Sequence, residues 1–90
     1  MTKADIVEII AEKTGFTVKD VKIVAEQFLE EIKNCLIENK HLEIRGFGTF
    51  KVKNHKARKA RNPKTNEEVF VPARRKAVFK VSKELNNLLN

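Results

Sequence analysis

Ninety residues with 19 Lys/Arg, 12 Asp/Glu, one Cys and a formal net charge of +7 make one small basic domain, short enough to bury well under roughly three quarters of its unfolded surface. A single Cys excludes an intramolecular disulfide and suits a reducing compartment. No apolar run approaches the roughly 20 residues of a membrane span, and Met1-Thr2-Lys3-Ala4-Asp5 lacks the apolar core of a signal peptide, so a cytosolic location is expected.

The chain opens on a predicted helix. Thr2 and Asp5 form a capping pair, Asp5 and Glu8 suit the positive end of the helix dipole, and Ile6, Val7, Ile9 and Ile10 recur at helical spacing. Gly15 is placed to end this helix in a left-handed cap. Thr17 and Asp20 repeat the start signal for a second helix running to about Asn39, about 33 Å at 1.5 Å per residue. Val21, Val24, Ala25, Phe28, Leu29, Ile32, Cys35 and Leu36 give it an apolar arc wider than one stripe, suited to packing on its own chain and on a second copy. Helix, Gly-containing turn, helix also suggests a DNA-reading helix-turn-helix. Asp20, Glu26, Glu30 and Glu31 argue against that, because phosphates repel an acidic helix, and both helices read as scaffold. Cys35, among Ile32 and Leu36, reads as a packed, inert thiol.

At His41 the period changes from helical to alternating. Leu42 and Ile44, a turn at Gly46-Phe47-Gly48, then Phe50 and Val52 predict two short strands. Ala77, Phe79 and Val81 predict a third core strand, and Ser82 caps a last short helix carrying Leu85, Leu88 and Leu89. Phe47, Phe50 and Phe79 alternate within strands, which favours core packing over base stacking. Between these strands lies a ribbon that buries almost nothing, turning at Asn62-Pro63-Lys64-Thr65-Asn66 and returning through Val69-Phe70-Val71. Pro72 cannot donate to a ladder and is expected where the ribbon leaves the sheet.

Charge is segregated along the chain. Residues 1–43 carry six Lys/Arg against nine Asp/Glu, and residues 44–90 carry thirteen against three. No acidic residue lies between Ile44 and Asn66, where Arg45, Lys51, Lys53, Lys56, Arg58, Lys59, Arg61 and Lys64 fall. Ordinary solvated faces mix both signs, so this ribbon is expected to be an arm that acts on a polyanion. His41 and His55 have no neighbours at metal-ligand spacing, and no nucleophile, base and orienting group can be assembled; neither metal, cofactor nor enzymatic function is expected.

Gly46-Phe47-x-x-Phe50 followed by Arg58-x-Ala60-Arg61-Asn62-Pro63-x-Thr65, with Pro72-Ala73 and Phe79-Lys80 further on, resembles the bacterial histone-like proteins of the HU and integration host factor family over the whole chain. The sequence departs from that pattern at His55, at Ala60 and Asn66 where Gly is usual, and at Val81-Ser82 where Pro-Gly is frequent. Asn66 is a tolerable replacement because Asn accepts positive φ.

The resemblance implies an α+β fold: two N-terminal helices, a three-stranded antiparallel sheet extended into a long β-hairpin arm, a short C-terminal helix, and an intertwined dimer. Residues 1–90 form one DNA-binding domain on this reading, with a helical dimerisation part (1–40), the sheet (41–81) with its arm at about 52–74, and the last helix (82–90). The dimer core is expected at Phe28, Leu29, Ile32, Leu36, Ile44, Phe47, Phe50 and Phe79. Double-stranded DNA is the expected partner, contacted by Lys3, Arg45, Lys53, His55, Lys56, Arg58, Lys59, Arg61, Asn62, Pro63, Lys64, Thr65, Arg74, Arg75, Lys76, Lys80 and Lys83. Pro63 is the expected wedge between base pairs. The implied function is architectural: minor-groove binding with little sequence specificity, bending and compaction of DNA, by a cytoplasmic, nucleoid-associated homodimer with no membrane or small-molecule partner. Arg74-Arg75 leans towards the alternative, a site-specific integration host factor-like subunit paired with a paralogue. A rival of another class is an RNA-binding or ribosome-associated basic protein, although the wide, shallow minor groove of A-form RNA is unsuited to a thin arm.

Overall fold

A computed structural model describes all residues 1–90, which group into two compact units, residues 1–35 and 36–90. Helix α1 spans Lys3–Thr14. The backbone N–H of Thr2 donates to Asp5 Oδ2 at 2.8 Å, and that of Asp5 returns to Thr2 Oγ1 at 3.3 Å, a reciprocal cap satisfying two orphan donors. Gly15, at φ 79°, ends the helix with its N–H on the Ala11 carbonyl.

Helix α2 spans Val18–Ile37 and starts with the Asp20 N–H on Thr17 Oγ1 at 3.2 Å. It stops two residues short of the expected Asn39. Asn39 adopts φ 59° and donates its N–H to the Leu36 carbonyl, so the residue expected to be the last of the helix lies in the turn that terminates it. In that turn the Lys40 ammonium, 2.7 Å from Glu38, holds the Glu38 carboxyl below the ordinary carboxylate range.

Within residues 1–35 the buried core is Val7, Ala11 and Val21, with Ala25 packed against it. This is little for two helices so rich in apolar residues. Val24 is 68% and Phe28 57% exposed, and Leu29 is also open to solvent. A groove of about 910 Å³ runs between the helices, lined by Ile6, Ile10, Phe16, Val24 and Phe28 among others.

Within residues 36–90, strands β1 (Leu42–Ile44), β2 (Gly48–His55) and β5 (Arg74–Val81) form an antiparallel sheet in the order β1-β2-β5. The register sets Leu42 opposite Phe50, Phe50 opposite Phe79 and Val52 opposite Ala77, so the expected apolar residues share one face. The Phe79 ring lies 5.3 Å from that of Phe47 and 4.8 Å from that of Phe50, within the range of favourable tilted aromatic pairs. That face is not sealed by the chain itself: Phe79 remains 43% exposed, and on β5 only Val78, on the opposite face, is half-buried. Strands β3 (Arg58–Arg61) and β4 (Glu68–Val71) form a separate two-stranded sheet. The expected sheet-to-arm extension is thus interrupted at residues 56–57 and 72–73, where Pro72 has no N–H to offer. Ser82 ties the last helix to the β1–β2 turn: its N–H bonds the Phe47 carbonyl, and its hydroxyl accepts from Leu85 N–H to cap helix α3, Lys83–Leu89.

Gly48 shows how tightly this sheet is closed. A Cβ there would lie 2.5 Å from the Phe79 ring and 2.6 Å from the Lys80 carbonyl oxygen. Gly46 has open space but holds φ 79° in the turn. Gly48→Ala is expected to destabilise by roughly 1–3 kcal/mol or more, and more than Gly46→Ala, in thermal unfolding followed by circular dichroism. Equal melting temperatures for Gly48→Ala and wild type would show that the contact between β2 and β5 is looser than described.

Candidate nucleic-acid interface

Strand β2 and strand β5 carry the first part of the candidate interface through their alternation. Opposite pairs Lys51↔Val78, Lys53↔Lys76, His55↔Arg74 and Thr49↔Lys80 share the face turned away from the aromatic cluster. Lys51, Lys53, His55, Arg74, Lys76 and Lys80 therefore form one basic face. Lys53 directly across from Lys76 is a like-charge pair, which destabilises a bare sheet and is relieved by a bound anion. Arg75 is the exception among the basic residues of β5. It stands opposite Asn54, on the same face as Phe50 and Phe79.

The arm continues the pattern. Its register is Arg58↔Val71, Lys59↔Phe70, Ala60↔Val69 and Arg61↔Glu68. Arg58, Ala60, Val69 and Val71 share one face, and Lys59, Arg61, Glu68 and Phe70 the other. The two arginines singled out from sequence thus lie on opposite faces of the ribbon, a consequence of their odd spacing. Ala60, where the resembled pattern has Gly, is half-buried against Val69.

The tip is built by short polar bonds. Asn62 N–H donates to the Glu67 carbonyl at 2.8 Å, and Asn66 N–H to the Asn62 carbonyl at 2.7 Å. Asn62 Oδ1 accepts from Lys64 N–H at 2.9 Å, an Asx-type turn around Pro63, and Thr65 Oγ1 accepts from Glu67 N–H. Asn66 takes φ 60°, as its side chain permits, and its Oδ1 accepts from Arg61 Nη1 at 3.5 Å. Pro63, Lys64 and Thr65 are exposed, while Asn62 is half-buried in the turn it organises. The Asn62 side-chain oxygen is thereby committed to the tip.

No basic side chain from Arg45 to Lys83 has a carboxylate oxygen within the 4.0 Å of an ion pair. The arm cations Lys56, Arg58, Lys59, Arg61 and Lys64 are exposed, with Glu67 and Glu68 the only carboxylates nearby in sequence. Arg45 lies in the β1–β2 turn and Lys83 at the first residue of α3, both exposed. Lys3 belongs to the other unit and is paired there with Glu26 at 3.5 Å. Of the expected dimer-core residues, Phe28, Leu29, Phe47 and Phe79 are exposed, and Ile32, Leu36, Ile44 and Phe50 half-buried.

Sequence reading passed over two features. Phe70 is 66% exposed on the arm beside Lys59, and period-two alternation through Val69-Phe70-Val71 was the signal for it. Asn39 is engaged by Arg75 across 36 positions of chain, for which no local signal exists.

Comparison with known proteins agrees with this arrangement. A family model described as bacterial DNA-binding protein matches residues 1–90. The chain is 43% identical over 90 residues to an integration host factor subunit alpha of Anaeromyxobacter sp. (strain K), covering all of this chain and 80% of that protein. It is 42% identical over 91 residues to an integration host factor subunit beta of Marinobacter nauticus, covering all of this chain and 93% of that one. Among solved structures, an Anabaena HU–DNA cocrystal structure superposes with a TM-score of 0.86 at 35% identity, over 99% of this chain and 97% of that one. A mutant HU from Thermotoga maritima gives 0.75 at 26% identity, over the full length of both.

Unpaired, exposed cations make a specific prediction. Arg58→Ala and Arg61→Ala should each weaken binding to all duplexes similarly and reduce the slope of log K against log salt by about one, read by fluorescence anisotropy at four salt concentrations. A loss confined to one duplex sequence would instead mark the residue as a reader of bases.

Proposed function

The chain belongs to the family of bacterial DNA-binding proteins, and from that premise we propose that it works as a dimeric architectural protein that bends duplex DNA with two arms. The family is one of structural proteins, and the chemistry required is binding and deformation with no covalent step. The observation that carries this reading is the arm: a cationic ribbon with no acidic residue from Arg45 to Thr65, none of its cations in an ion pair, ending in an exposed proline.

Phosphate neutralisation by Lys56, Arg58, Lys59, Arg61 and Lys64 releases condensed counterions and gives affinity independent of sequence. A ribbon in the minor groove meets a degenerate donor and acceptor pattern, so it responds to groove width and deformability more than to base identity. Asn62 and Thr65 hold the tip and face the groove, and Pro63 enters a base step. Architectural proteins, this family among them, kink duplexes by about 20–90° with such apolar wedges. Lys53, His55, Arg74, Lys76 and Lys80, on the basic face of the sheet, contact DNA at the root of the arm. Arg45, Lys83 and Lys3 meet the flanking phosphates once the duplex is bent.

The domain plan supports that mechanism. Residues 1–40 serve dimerisation, 41–81 form the sheet with its arm at about 52–74, and 82–90 form the last helix. A second copy covers Phe28, Leu29, Ile32 and Leu36 together with Ile44, Phe47, Phe50 and Phe79, apolar side chains that no single chain seals. The place of action is the cytoplasmic nucleoid. A second reading, a site-specific subunit paired with a paralogue, is favoured by Arg74-Arg75 and by the alpha and beta host factor subunits among the relatives.

Light scattering of the free protein at micromolar concentration should report about twice the 10.4 kDa chain mass. Gel-shift titration of nicked and intact duplexes of equal length and random sequence should give tighter binding to the nicked one, since unstacking is cheapest there. Equal affinity for both DNAs, or a monomer under these conditions, contradicts the proposal. Tight binding to one sequence only after mixing with a paralogue favours the second reading.

A further inference from the structure

The arm-proximal end of the core sheet is tied down by a side chain that charge alone assigns to DNA. Arg75 is the second residue of β5, one pair from the end of the β2–β5 ladder at His55↔Arg74. Its Nη1 donates to the carbonyl of Ile37 at 2.9 Å and to Oδ1 of Asn39 at 3.1 Å. Ile37 closes α2, so its carbonyl is one of the orphan acceptors of a helix end, and the guanidinium sits at the negative end of the helix dipole. Asn39 holds φ 59°, which turns the chain back towards β1. The caps and tip bonds elsewhere join residues at most five apart; the Arg75 bonds span 38 and 36.

Register adds an independent observation. Alternation puts Arg74, Lys76 and Lys80 on the basic face with Lys53 and His55, and puts Arg75 on the aromatic face. An arginine meant for the same phosphates as its neighbours has no reason to stand there. One that anchors the sheet to the turn after α2 does.

The geometry points to Arg75 as a positioning residue for bending rather than a phosphate contact. It clamps the start of β5 to the Ile37–Asn39 turn and thereby sets the direction from which the arm departs. The ladder breaks at residues 56–57 and 72–73, so the clamp lies immediately on the sheet side of that joint. A wedge at Pro63 deforms DNA only if the root of the arm resists the reaction force. With Arg75 absent, the last pairs of the ladder fray and the arm yields instead of the duplex.

This inference rests on the bending reading for its consequence, but the clamp can be tested without DNA. Hydrogen exchange of the free protein should show amides at residues 53–55 and 74–76 exchanging about two- to fivefold faster in Arg75→Ala, the range set by one cation at a helix end. Asn39→Gly keeps the positive φ and removes one acceptor, so it should shift the same amides in the same direction. With duplex DNA, Arg75→Ala should reduce end-to-end energy transfer while the salt slope stays at the wild-type value. Unchanged exchange in both variants, with a salt slope lowered by about one, would make Arg75 a phosphate contact and overturn the clamp. A wild type that bends no DNA would defeat the proposed function, with the exchange comparison still deciding the clamp.

Discussion

Apolar surface without a core to receive it governs this protein. Two helices full of Ile, Val, Leu and Phe bury only Val7, Ala11 and Val21, and the aromatic face of the sheet leaves Phe47 and Phe79 partly exposed. Burial is worth about 25 cal/mol per Å² of apolar surface, and a chain that forgoes so much of it has little stability to spare. The proposed dimer answers this shortage. The same side chains that fail to protect one chain become the core of two, and folding and assembly are then inseparable.

Committing the apolar residues to assembly frees the rest of the chain from any part in a core. Nothing in the arm has to be hydrophobic on behalf of the fold, so its composition can serve an external polyanion. The facing Lys53 and Lys76, and the arm cations with no carboxylate partner, disfavour the free protein slightly and favour the bound one. In the proposed mechanism affinity comes from charge, and shape selectivity from the cost of deforming the duplex. The two are assigned to different residues, cations along the ribbon and Pro63 at its end, so mutation can separate them.

Local grammar carried most of the fold. Thr2 and Asp5, Gly15, Thr17 and Asp20, and Ser82 each made the cap expected of them, because a cap depends only on residues a few positions apart. The period-two stretches placed all three core strands for the same reason. What escaped was set by the geometry of distant elements. Asn39 falls where the apolar period ends, but its readiness for positive φ makes it a terminator and not the last helical residue. The need for Gly48 comes from the Phe79 ring on another strand. Composition groups Arg75 with Arg74 and Lys76 because it does not see faces, whereas the register separates them. The roles of the arm residues came from their resemblance to a family motif and from charge, and geometry adds that Arg58 and Arg61 look in opposite directions.

The central claim is that the arm bends DNA through an apolar wedge, beyond holding it through charge. Energy transfer between dyes at the two ends of a short duplex, measured with wild type and Pro63→Ala at equal saturation, tests it most directly. Proline's fixed φ and missing N–H make it stiff and apolar, and alanine keeps every charge of the arm. The account predicts that the variant retains most of the affinity for intact duplex and the full salt slope, yet loses much of the bend and most of the preference for a nick. A variant that bends the duplex as sharply as wild type would reduce Pro63 to a turn residue and contradict the account.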